Sequence, residues 1–195
     1  MRVRAWTVTA MVAPMTAAMT VALTVALTVA LTVALTVALT ALAAPAASAE
    51  AGPEPWQPYR TTDFVSPAGR SCDYDLDVTA VQDEEEYRVD ARHADGSERL
   101  VEYRGTLITR FTNLATGEST VRDLSGHAWV ELYPDGTMKS FTGAGPFSIG
   151  FRDTDTYARG YYRLDGVHVI TMDPDGTRHL TVAAGTQENL CRTLG

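Results

Sequence analysis

The chain has 195 residues, with 16 basic against 24 acidic side chains and a net charge of −8. That balance excludes a nucleic-acid or anionic-membrane binder, since both partners are polyanions, and the length allows one domain of ordinary size beside a targeting segment. Two cysteines and four scattered histidines exclude a zinc ribbon or finger.

The amino-terminal stretch reads as an address. Arg2 and Arg4 open it, no charge follows until Glu50, and it ends in Ala47-Ser48-Ala49, a small-x-small site suited to signal peptidase. The unit Thr-Val-Ala-Leu repeats five times from Thr20 to Leu39, longer than a usual signal core and long enough to span a bilayer. Pro45 and the small residues after it favour cleavage over an uncleaved membrane anchor. Residues 1–49 are therefore expected to be a secretory signal peptide and the rest a secreted, extracellular protein without membrane contact. Its 14 basic and 24 acidic residues give that remainder a charge of −10.

Residues 50–71 carry Pro53, Pro55, Pro58 and Pro67 and read as an extended arm, pinned by Trp56, Tyr59 and Phe64. Residues 72–195 read as a single β domain. Its two cysteines, Cys72 and Cys191, stand near either end, and in an oxidising compartment they are expected to pair. Alternation recurs throughout, as in Tyr74-Leu76-Val78 against Asp73-Asp75-Asp77, and no window keeps a helical period. That alternation sets the aspartates on a wet strand face. They also fall at calcium-loop positions with Glu84, but Val78 stands where such a loop needs glycine. The run Asp83-Glu84-Glu85-Glu86 reads as a solvated turn.

Asp95-Gly96, Asp135-Gly136 and Asp175-Gly176 lie 40 residues apart, and Gly105, Gly145 and Gly185 follow each at a fixed distance. Asp-Gly between apolar runs marks a hairpin, and the fixed period marks a repeated strand pair. The register is looser than the turns: the apolar face of the second unit is offset by one residue from Tyr87-Val89-Ala91. Arg99 to Phe111 reads as one long strand bent at Gly105. The expected fold is all-β, an antiparallel meander of about 8–10 strands closing into a small barrel, with Cys72–Cys191 tying its first and last strands.

No nucleophile elbow, H-E-x-x-H or phosphate loop is present, so no catalytic residue, metal ligand or cofactor is assigned. His127 and His168 are placed on strands that a meander brings near each other. Trp129, Phe141, Phe147, Phe151 and Tyr161 crowd the second half. They either fill the barrel or line a pocket, and the second alternative makes them candidate ligand-binding residues.

The strings WQPYRTTDFVSPAGRSC, RGTLITRFTN, RDLSGHAW, GPFSIGF, GYYRLDGVHVIT and GTQENLC resemble a group of small secreted actinobacterial proteins. The likeness runs from Trp56 to Leu194. It implies secretion, the two cysteines and a β-rich domain, and carries no catalytic residue or activity with it. The function expected from the sequence is binding of a small apolar ligand or an extracellular partner. The alternatives are an enzyme with its site at the barrel mouth, or an inhibitor of secreted hydrolases presenting Thr142 to Pro146 or Asp153 to Ala158.

Overall fold

The computed structural model describes residues 52–195, so the signal-peptide assignment lies outside the described residues. Among those described, no helix is long and apolar enough to cross a membrane. The arm contributes two short strands, β1 (Gln57–Tyr59) and β2 (Phe64–Ser66), both laid antiparallel on β3 (Leu76–Arg92). Then follow β4 (Glu98–Asn113), β5 (Ser119–Asp123), β6 (His127–Leu132), β7 (Met138–Ala144), β8 (Phe147–Phe151), β9 (Gly160–Met172) and β10 (Arg178–Asn189). A single helical turn, α1 (Leu190–Thr193), ends the domain, capped by the Asn189 side chain on the Cys191 amide.

All ten strands belong to one antiparallel sheet whose main path runs β1-β3-β4-β6-β7-β9-β10. Three identical turns build it. At each, the Asp carboxylate accepts the amide of the residue two places on, at 2.9 Å for Ser97, Thr137 and Thr177. Gly96, Gly136 and Gly176 supply the positive φ that such hairpin loops require.

The six longest-path strands share one apolar row. Val89 lies opposite Val101, then Val130, Phe141, Ile170 and Leu180 follow across β3, β4, β6, β7, β9 and β10. The one-residue offset between the first two repeats is absorbed in β3, where the bulge between Val89 and Ala91 adds a residue before the turn. Both repeats thus point their apolar side chains to the same, inner face.

The sheet is open, which corrects the expected barrel: β1 and β10 end the path and do not pair. The reason lies in the long strands. β3 and β4 continue past Gly105 into a flap with β2 and β5 at its edges, and β9 and β10 continue past Gly166 and Gly185 into a flap edged by β8. Among the described residues no backbone pairing links the two flaps, which meet through side chains. Leu76, Val78 and Phe111 of one flap pack with Tyr161, Leu190 and Leu194. Each such large side chain, fully buried, contributes on the order of 1.5–3 kcal/mol. The Cys72–Cys191 disulfide fastens the same seam, with Cα atoms 5.3 Å apart.

A second core sits on the other side of β8 and β9, where Phe147, Phe151, Tyr162, Leu164 and Ile170 are buried. Burial on both faces explains why Gly160-Tyr161-Tyr162-Arg163-Leu164 is nearly continuous in apolar residues. The acidic run 83–86 is not a turn. It lies within β3 opposite Leu107, Thr106, Gly105 and Arg104, held by an Arg104–Glu86 ion pair at 3.2 Å and a 2.6 Å hydrogen bond from Thr61 to Glu85.

Candidate functional site

The inner face is not uniformly filled. Beside the Val89–Leu180 row runs a second one, Tyr87-Tyr103-Ala128-Gly143-His168-Ala183, and its middle members are small. Gly143 is bare because the Phe147 ring lies on it: a Cβ there would stand 3.0 Å from the ring Cζ. Ala128 has no such cover. Between these strands and the flaps lies a groove of about 450 Å³, beside a second cavity of about 350 Å³ with which it shares lining residues. Phe64, Met138, Phe141, Phe147, Ser148 and Tyr161 border both.

Three of the five aromatic candidates, Phe141, Phe147 and Tyr161, therefore come together in this groove. The other two do not. Trp129 points to the opposite sheet face, stacked on His127 with ring centroids 4.3 Å apart. Phe151 is fully buried beside Tyr157 and Tyr162. Sequence reasoning missed Tyr59, Tyr103 and Phe64, which also line the groove. Tyr59 and Phe64 had been placed in the arm, and only the pairing of that arm with β3 brings them here.

One end of the groove is acidic and hydroxylic. Tyr59 packs edge-on against Tyr87 and Tyr103, at 6.2 and 5.1 Å between centroids. Burial, then the neighbouring Tyr59 and Glu98, push the Tyr103 phenol up to about 12, so it stays a neutral hydrogen-bonding group. Burial also raises the Glu85 carboxyl, against the lowering effect of the Thr61 hydroxyl. The opposite end holds Arg70, Arg178 and the hydroxyls of Ser66, Ser71 and Ser148.

On the outer face a polar cluster surrounds Glu102, which is buried and bonded to both Arg88 and His127. Trp56 lies under Arg88 and Arg104, with guanidinium carbons 4.6 and 3.8 Å from the ring centroid. This cation–π stack holds the arm to the sheet. His127 and His168 are not paired: β7 lies between their strands, and they project to opposite faces. Among the described residues no group of three or more His, Cys, Asp or Glu is placed to hold a metal ion.

His168 is fully buried, and neither ring nitrogen has a hydrogen-bond partner among the described residues. Burial pushes its pKa down, so the folded state holds it neutral while the unfolded chain protonates it near its ordinary value of about 6.5. The unfolded state then binds the extra proton, and stability falls as pH drops below that value. His168→Leu is expected to flatten the dependence of melting temperature on pH between neutral and mildly acidic conditions. At low pH it should gain about 1 kcal/mol, because two unsatisfied buried nitrogens are removed. An unchanged pH profile in the variant would mean that His168 does not set this dependence.

Comparison with protein-family models, with curated proteins and with solved structures finds no match to this chain.

Proposed function

We propose that this protein is an exported binding module that holds a small apolar ligand in the groove on the inner face of its open sheet. One observation carries this reading: a groove of about 450 Å³ whose walls are mainly aromatic and aliphatic, with the small residue Ala128 on its floor. That size lies in the range of small-molecule sites, roughly 300–1,000 Å³, which are lined mainly by apolar side chains with a few polar groups to orient the ligand. Tyr103 and the Thr61–Glu85 pair supply such polar groups at one end. Export and life outside the cell are part of the same proposal. The disulfide, the layout of residues 1–49 and the resemblance to secreted actinobacterial proteins support them.

The test is a titration with N-phenyl-1-naphthylamine, a neutral apolar dye that brightens when it leaves water. Saturable brightening at one site per chain is expected. Ala128→Phe, which adds a ring to the groove without removing any packed side chain, should weaken binding at least tenfold, or about 1.4 kcal/mol. Absence of saturable brightening, or full affinity in the Ala128→Phe protein, would overturn the assignment.

A further inference from the structure

Two cations border the 350 Å³ cavity at the end of the groove, Arg70 from the turn after β2 and Arg178 from the first residue of β10. Both stand out in an acidic chain in which many arginines are ion-paired, as Arg88, Arg92, Arg122, Arg152 and Arg163 are. Arg70 has neither an ion-pair nor a hydrogen-bond partner for its guanidinium among the described residues, and its position is fixed by turn bonds from the Gly69 and Arg70 amides. Arg178 donates from Nη1 to the Gly150 carbonyl, while its Nε is buried with no hydrogen-bond partner among the described residues.

The Asp155 carboxylate favours the Arg178 cation electrostatically but makes no ion pair with its guanidinium. Asp155, whose side chain is fully buried, is committed to Arg152: it accepts the Arg152 amide at 2.7 Å and Nη2 at 3.0 Å. From Arg178 it takes only the backbone amide, at 2.9 Å. Burial presses the Arg178 pKa down; Asp155 pulls it back up, and Arg152 and Arg70 add to the lowering, so the cation is compensated only in part. Around the pair stand short hydroxyl side chains: Ser66 and Ser71, both nearly buried, and Ser148 within 3.4 Å of the Tyr161 phenol oxygen. A desolvated guanidinium with a free donor, a second free guanidinium and several hydroxyls are the elements that bind a carboxylate strongly. The opposite wall is apolar, made by Phe64, Met138, Phe141, Phe147 and Ile149.

We propose that this end of the groove is an anion site, and that the natural ligand is an apolar carboxylate whose charged group seats between Arg178 and Arg70 while its apolar body lies along Phe141 and Phe147. The inference rests on the binding reading above and names the ligand class for it. It gives the groove a direction: the anion-binding end lies toward β2 and β8, and the ligand's apolar body runs from there along Phe141 and Phe147 toward Ala128.

The experiment compares decanoate with decan-1-ol by isothermal titration on the purified protein. Both carry the same chain and differ in charge. Decanoate is expected to bind at least tenfold more tightly. In the Arg70→Met, Arg178→Met double variant that preference should vanish, with decan-1-ol affinity unchanged within about threefold, or about 0.7 kcal/mol. Arg70→Met alone removes no intramolecular bond, so it keeps the test valid if replacing Arg178 disturbs folding, and it should cut the preference severalfold. Equal affinity of the native protein for both compounds would overturn the anion site and leave the apolar groove standing. Binding of neither would overturn both. A preference that survives in the variants would overturn the assignment to these arginines.

Discussion

Replacing Cys72 and Cys191 together by serine is expected to lower the unfolding free energy by about 4–5 kcal/mol. The bond closes a loop spanning a sequence separation of 119, and the chain-entropy model assigns that cost to the freedom regained by the unfolded chain. Domains of this size have total stabilities of roughly 5–15 kcal/mol, so the variant should be close to unfolding at 37 °C. The seam makes the effect large. The flaps share no backbone pairing across it, and the remaining contacts are side-chain packing among Leu76, Phe111, Tyr161 and Leu190. Urea unfolding of the native protein with and without reductant, beside the double variant, measures this. A midpoint that does not move would show that packing alone holds the seam.

The second large effect is expected at the strand bends. Gly105 has φ of +130° and Gly166 of +118°, where a side chain is strained. A Cβ at Gly105 would run into the Glu84 carbonyl and lie 2.7 Å from the Glu85 Cα. One at Gly166 would meet the Ala184 carbonyl and lie 2.8 Å from the Gly185 Cα. These obstacles are backbone and cannot rotate away. Gly105→Ala and Gly166→Ala should each cost about 2–4 kcal/mol, lowering the melting temperature by on the order of 10 °C. Gly52→Ala, in open space and at ordinary φ, is the control and should change nothing. Melting temperatures of the bend variants within a degree or two of the control would refute the steric account.

Much of the local structure was legible because it depends on neighbours in sequence. The Asp-Gly turns are fixed by a carboxylate reaching two residues on and by a glycine φ. The bend at Gly105 and the alternation of Asp73, Asp75 and Asp77 with buried Leu76 and Val78 are likewise local. What the residues did not reveal depends on long-range pairing. The expected closure assumed that joined ends imply paired strands, whereas the disulfide and side-chain packing join these ends without backbone pairing. The period-2 rule separated Trp129 from its neighbours Ala128 and Val130 but could not tell which face was inner until the cross-strand row was known. Arg70 and Arg178 are 108 positions apart in the chain, and nothing in either local sequence announces that they border one cavity.

The seam also imposes an order on folding. Synthesis delivers the chain amino end first, so Leu76, Val78 and Phe111 are available long before their partners Tyr161, Leu190 and Leu194 exist. Until the last six residues arrive, the first flap has an uncovered apolar side and Cys72 has no intramolecular thiol to oxidise with. Distant contacts of this kind form slowly and leave apolar surface open to wrong association in the meantime. Yield in a heterologous host should therefore be governed by the supply of holding chaperones and thiol oxidants more than by the rate of translation.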